Sequence, residues 1–229
     1  LMLNLANSST VTLNLGSTSQ TVPTSVFVAS SGKSVQVGAV GTGYTGNSAQ
    51  TLNVDGTALF PTSVTNHGAL LVGRNATTNI RSNVTWNQNG PLTVRGVGGY
   101  SASMSISGTA LVNYEGAADI AINPDPANTS NATLTVNGGT LVTSRGFAFG
   151  GSTSSGVGIL RLTGGGKLRL AADVPDLTGG ATSGRFELGN GGGEIDTAGY
   201  STATSKGMAN VSGQTGSLTK SGAGTLTLT

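Results

Sequence analysis

The chain has 229 residues, a net charge of +2 and only 9% charged residues, against about 25% in a typical soluble domain. Its 11 Lys and Arg are scattered and its aromatics are few (5 Phe, 4 Tyr, 1 Trp), which argues against a nucleic-acid-binding surface. The absence of Cys excludes disulfides and thiolate metal sites and suits a secreted bacterial protein that crosses an envelope unfolded.

No apolar run approaches the roughly 20 residues of a membrane helix. Gly, at 38 residues, and abundant Ser, Thr and Asn would fit a disordered chain. Val, Leu and Ile return in strict alternation, however, and disordered segments lack such a period.

In chain order, the same unit recurs: two short apolar alternations around a Gly, Ser or Asn hinge. Leu3 and Leu5 precede Val11, Leu13 and Leu15; Val26 and Val28 precede Val35 and Val37; Leu52 and Val54 precede Gly56 and Leu59. Weaker copies pair Val84 and Trp86 with Leu92 and Val94, then Met104 and Ile106 with Gly108 and Leu111. Plain copies follow: Leu134 and Val136, Gly139, Leu141; Leu160 and Leu162, Gly165, Leu168; Phe186 and Leu188, Gly192, Ile195; and Leu218, Gly222, Gly224, Leu226 and Leu228.

The first apolar residues after each hinge are 11, 35, 59, 92, 111, 141, 168, 195 and 226, at a mean interval near 27 residues. Such a period belongs to stacked solenoid coils. The long interval from 59 to 92 predicts a side loop at 61–83, and Pro124 and Pro126 predict another at 123–131. No segment carries a capped 3.6-residue stripe, so helix content is expected to be minor.

One coil buries too little apolar surface to offset the entropy of ordering its backbone, so the coils must stack. The expected fold is all-β, a parallel β-solenoid of about nine coils, with 1–229 as one elongated domain. A β-sandwich is the alternative.

Residues 189–229 contain GNGGGEIDTAGY and then GSLTKSGAGTLTLT. This pair resembles the autotransporter-associated β-helical repeat, in which a GGxIDTxG-like stretch precedes LxKxGxGTLxL. TLTVNGGTLV (133–142) and LRLTGGGKLRL (160–170) extend a looser likeness upstream. The resemblance implies a single-stranded right-handed β-helix, displayed outside a Gram-negative-type cell as a stalk; it does not imply a catalytic activity. The membrane barrel that ends a classical autotransporter is not among these residues. Both ends fall on strands, LMLNL and LTLT, which reads as an excised piece of a longer chain or a subunit that stacks head to tail.

Candidate chemistry is sparse. GTGYTG (41–46) matches a dinucleotide loop in letters, but a strand-like NSAQTLNVD follows it where a helix is needed. SGKS (31–34) has Phe27 where a phosphate loop needs its first Gly. Glu194 and Asp196 share one face if Ile195 points inward, which would suit glycosidic chemistry, a cation, or a turn cap. Asp173 and Asp176 straddle Pro175 and read as a solvated loop. Arg161, Lys167 and Arg169 come from one coil and could line the face of a polysaccharide-cleaving enzyme.

His67 is the only histidine and builds neither a triad nor a metal site. Trp86 reads as packed in the core or in a loop pocket rather than as a sugar platform. Asn7, Asn75, Asn83, Asn128, Asn131 and Asn210 open N-x-[ST] triplets, as chance provides in this composition.

The expected function is a non-enzymatic extracellular structural or adhesive solenoid on a bacterial cell surface, a stalk or fibre-forming segment. A head-to-tail filament subunit and a carbohydrate-active enzyme are the alternatives. Gly56, Gly108, Gly139, Gly165, Gly192, Gly222 and Gly224 are the expected hinges. Leu1, Leu3, Leu5, Leu226 and Leu228 are the expected contact residues for self-association or chain continuation. No cofactor or metal is expected; host surfaces and glycans are candidate partners.

Overall fold

The computed structural model describes residues 4–5, 10–14, 25–27, 34–37, 49–56, 62–125, 129–150, 156–179 and 183–229. Strands are the regular structure throughout, with no helix among the described residues. They form three large sheets and one two-stranded sheet, in which every strand-to-strand pair is parallel. The first face has six strands, from Asn4–Leu5 to Phe147–Phe149. The second has eight, from Thr10–Asn14 to Met208–Asn210, and the third eight, from Ser25–Phe27 to Leu218–Ser221.

Each neighbour within a sheet is one coil away in sequence, so the chain winds as a three-faced β-solenoid with six complete turns. Faces two and three continue for two further strands each. The first face is relayed beyond Phe147 by Leu177, whose carbonyl accepts the Phe147 N–H at 2.7 Å and whose N–H donates to Ala203 at 2.8 Å. Pro175 keeps this relay from being a regular strand. Strands Thr202–Thr204 and Leu226–Leu228 then pair with each other.

The register defines the coil. Gln50, Ala76 and Ala102 stack at intervals of 26 residues, as do Ala132 and Gly158. Ala102 to Ala132 takes 30, and that coil contains the excursion at 123–131. Residues 123–125 and 129–131 are outside strands, and 126–128 lie outside the described residues.

Two expectations need correction. Nine coils came from markers that change face: Val35 and Leu92 lie on the first, Val11 on the second, and Leu141, Leu168 and Ile195 on the third. The side loop at 61–83 is instead one ordinary turn, with Thr62–Asn66, Ala69–Val72 and Ala76–Ile80 on the three faces. Its period is hidden in the sequence because two inward positions, Asn66 and Thr78, are polar.

Alternation sends one side chain in and the next out. The inward sets join into a continuous core, as in Leu52, Thr78, Met104, Leu134, Leu160 and Phe186 along the second face. Trp86 is fully buried in it. Thr78 is fully buried too, and its hydroxyl meets no hydrogen-bond partner among the described residues. An unmet buried hydroxyl costs about 1–3 kcal/mol. Thr78→Val keeps the shape and removes that cost, so the urea midpoint of unfolding should rise by the equivalent of roughly 1 kcal/mol or more.

Candidate functional site

The polar side chains of this solenoid are directed mainly at neighbouring coils. On the second face Asn79 Nδ2 donates to Asn53 Oδ1 at 2.7 Å and the Thr77 and Ser103 hydroxyls meet at 3.0 Å. On the third, Asn113 Nδ2 donates to Asn87 Oδ1 at 2.8 Å. Inside a corner, Gln88 Oε1 accepts from Asn66 Nδ2 at 2.8 Å and Trp86 Nε1 at 3.0 Å, while its Nε2 donates to the Gly68 and Gly90 carbonyls. That network satisfies buried amides that would otherwise oppose folding.

Charges follow the same rule. One coil supplies Arg161, Lys167 and Arg169, and the next supplies Glu187, Glu194 and Asp196 in register. Arg161 meets Glu187 Oε2 through both Nε (3.1 Å) and Nη2 (2.6 Å). Lys167 lies 3.1 Å from Glu194, and Arg169 approaches Asp196 through Nε at 3.5 Å. Ile195 is fully buried, so Glu194 and Asp196 do share the outer side of the third face. Arg161 is on the second face, apart from Lys167 and Arg169. Glu194 also accepts the Ser221 hydroxyl, and Asp196 Oδ1 accepts the Ala198 N–H at 2.9 Å. These carboxylates therefore serve as inter-coil acceptors and turn caps.

Asp173 and Asp176 are likewise engaged. Asp173 Oδ1 accepts the Ser201 N–H at 2.7 Å. Asp176 accepts from the Thr178 N–H and hydroxyl and from the Ser205 N–H and hydroxyl, a clamp onto the next coil. Partial burial acts to raise its carboxyl, but the Ser205 and Thr178 hydrogen bonds outweigh it and hold the group well below the usual carboxylate range. A depressed folded value means stability that is full above the unfolded value, about 3.9, and lost as pH falls through the folded one. Asp176→Asn should therefore lower the melting temperature at neutral pH and flatten its fall on acidification, as thermal scans from about pH 6 to about pH 2 will show.

Of the remaining candidates, 41–46 and 31–33 lie outside the described residues, as do Leu1, Leu3, Leu59, Asn7 and Asn128. His67 is exposed and bonds Asn89 at 3.1 Å. No cluster of three or more metal-ligating residues occurs among the described residues, and no helix there is long and apolar enough to cross a membrane. Asn75 and Asn83 adopt positive φ at corners, Asn131 Oδ1 accepts the Val157 N–H, and Asn210 Oδ1 accepts the Gly216 N–H. Leu5 pairs with Val37 on the edge strand of the first face, whereas Leu226 and Leu228 lie on a different edge strand, with Leu228 61% exposed.

The hinge glycines fall into two groups. Gly108, Gly165, Gly192 and Gly222 adopt positive φ. Gly56, Gly139 and Gly224 press against a neighbouring coil, and a Cβ at Gly224 would overlap the Tyr200 carbonyl. At Gly165 nothing stands within 4 Å of an added Cβ. Gly165→Ala should cost only the left-handed conformation, about 1–2 kcal/mol, and Gly224→Ala distinctly more, which denaturant titration of both will rank.

One open concavity of about 450 Å³ lies on the third face. It spans four coils, with Leu111 and Asn113, Thr140 and Val142, Lys167 and Arg169, and then Asp196 along it. Leu111 is the apolar marker after Gly108, but Val112 is the buried partner of Leu141 and Leu111 points out. The doublets Leu111-Val112 and Leu141-Val142 carry the missed signal, since alternation forces one member of each outward.

The chain is thus a parallel β-solenoid whose polar groups mostly bind coil to coil. Comparison with known protein families, characterised proteins and solved structures finds no match.

Proposed function

We propose that the chain is a non-enzymatic structural or adhesive solenoid, a stalk or fibre-forming segment displayed on a bacterial cell surface. The observation that carries this reading is the coil-to-coil registry. Backbone ladders, amide pairs and three ion pairs all bond along the axis between successive coils. Such a rod resists bending and extension without a partner. The low charge and absent Cys agree with export, and the motifs at 189–229 agree with the autotransporter-associated β-helical repeat.

A head-to-tail filament is the second reading. Strand Leu226–Leu228 pairs with Thr202–Thr204 along one edge only among the described residues, and Leu228 is largely exposed. A following coil of the same polypeptide or another copy would extend the ladder equally well.

Immunogold electron microscopy of source cells tests both readings. Gold in isolated positions at the cell periphery is the expected result. Gold strung along fibres with an axial repeat near 38 Å, eight strands at about 4.8 Å each, would favour the filament. Labelling confined to the cell interior would overturn the surface role.

A further inference from the structure

The concavity on the third face combines outward aliphatics, an amide, a hydroxyl and two cations. Its floor is a two-by-three grid: Leu111 stacks on Thr140 and then Lys167, and Asn113 stacks on Val142 and then Arg169. The two outward aliphatics lie on one diagonal and the amide and hydroxyl on the other. Both cations stand together at one end. Neighbouring rows are about 4.8 Å apart, so the grid extends over a few rows along the axis.

We propose that this concavity binds a carboxylated sugar unit of an acidic polysaccharide. A pyranose ring has an apolar C–H face, which suits Leu111 and Val142, and a rim of hydroxyls, which suits Asn113 and Thr140. The guanidinium fork of Arg169 matches a carboxylate better than any other group on the grid. Arg169 approaches Asp196 through Nε, at 3.5 Å, and its side chain is 55% exposed, so guanidinium N–H groups remain for a ligand.

Both cations have carboxylate partners one coil on, Lys167 with Glu194 at 3.1 Å and Arg169 with Asp196 at 3.5 Å, so the charges balance and an anion is held by the unengaged N–H groups of Arg169. Glu194, the partner of Lys167, lines a separate recess with Ser217 and Thr219. A single planar carboxylate suits one guanidinium fork, whereas phosphate or dense sulfate would call for a cationic cluster. A nucleotide base would call for an aromatic platform, and none lines the concavity.

The volume lies in the range of small-molecule sites, and the openness of the site leaves room for the neighbouring units of a polymer. The site goes beyond the scaffold role and does not rest on it, since an enzyme or an adhesin on this fold would present the same grid.

The test is calorimetric titration of the chain with tetragalacturonate, and with maltotetraose as the uncharged control. Tetragalacturonate should bind saturably and more weakly as salt rises, while maltotetraose should not saturate. Lys167→Gln with Arg169→Gln should weaken tetragalacturonate at least about tenfold. That double variant also strips Glu194 and Asp196 of their partners, so Val142→Asp serves as a second variant. It removes neither cation, and its carboxylate, next to Arg169 in register, competes with the ligand for that guanidinium, with a similar loss expected.

Circular dichroism melts establish that each variant is folded. Absent saturation by tetragalacturonate, undiminished binding by the folded variants, or equal binding of maltotetraose would each overturn the proposal. None of these results changes where immunogold finds the protein, so the two readings fail separately.

Discussion

Everything in this molecule depends on the in-register parallel pairing of each coil with the next. A single coil of about 26 residues has three short strands with no partners inside the coil. The N–H and C=O groups of those strands are satisfied by the coils above and below. The same stacking closes the apolar interior, because each inward side chain packs against its counterparts one coil away. Cohesion is therefore axial and nearest-neighbour, and stability accumulates coil by coil.

Polar residues are recruited into that scheme at two depths. Inside, Gln88 holds Asn66, Trp86 and two carbonyls together at a corner, so a turn with polar inward positions still closes without an unmet amide on Gln88. Outside, Arg161, Lys167 and Arg169 face Glu187, Glu194 and Asp196 across a single inter-coil step. Slipping the register by one residue there would turn paired charges inward and break three contacts at once. Asp176 performs the equivalent task at the irregular relay of the first face, where Pro175 prevents a strand and a carboxylate accepts four hydrogen bonds instead.

A scaffold that directs most polar groups along its axis leaves few to face outward partners. The grid around Leu111, Val142, Lys167 and Arg169 is therefore conspicuous. Apolar side chains point outward there without a covering element, and the two cations are only partly occupied by the next coil. A rigid sheet fixes all six side chains at defined spacings, which lowers the ordering cost of binding an extended ligand.

The primary sequence determined the class of fold. Alternating Val, Leu and Ile around Gly hinges, at intervals near 27 residues, admit few arrangements other than stacked parallel coils. It left Trp86 between the core and a loop pocket, and it put Glu194 and Asp196 on one side of the sheet only if Ile195 points inward, which the structure shows. It could not assign strands to faces, because alternation specifies in or out but not which of three sheets a strand joins. Markers such as Val35 and Leu141 were therefore counted as equivalent although they lie on different sheets. Asn66 and Thr78 concealed a whole turn, since a buried amide is acceptable only where Gln88, one coil on, supplies its partner. The outward placement of Leu111, and with it the concavity, was settled by register alone: Val112 stacks on Leu141, and the neighbouring side chain has no direction left but out.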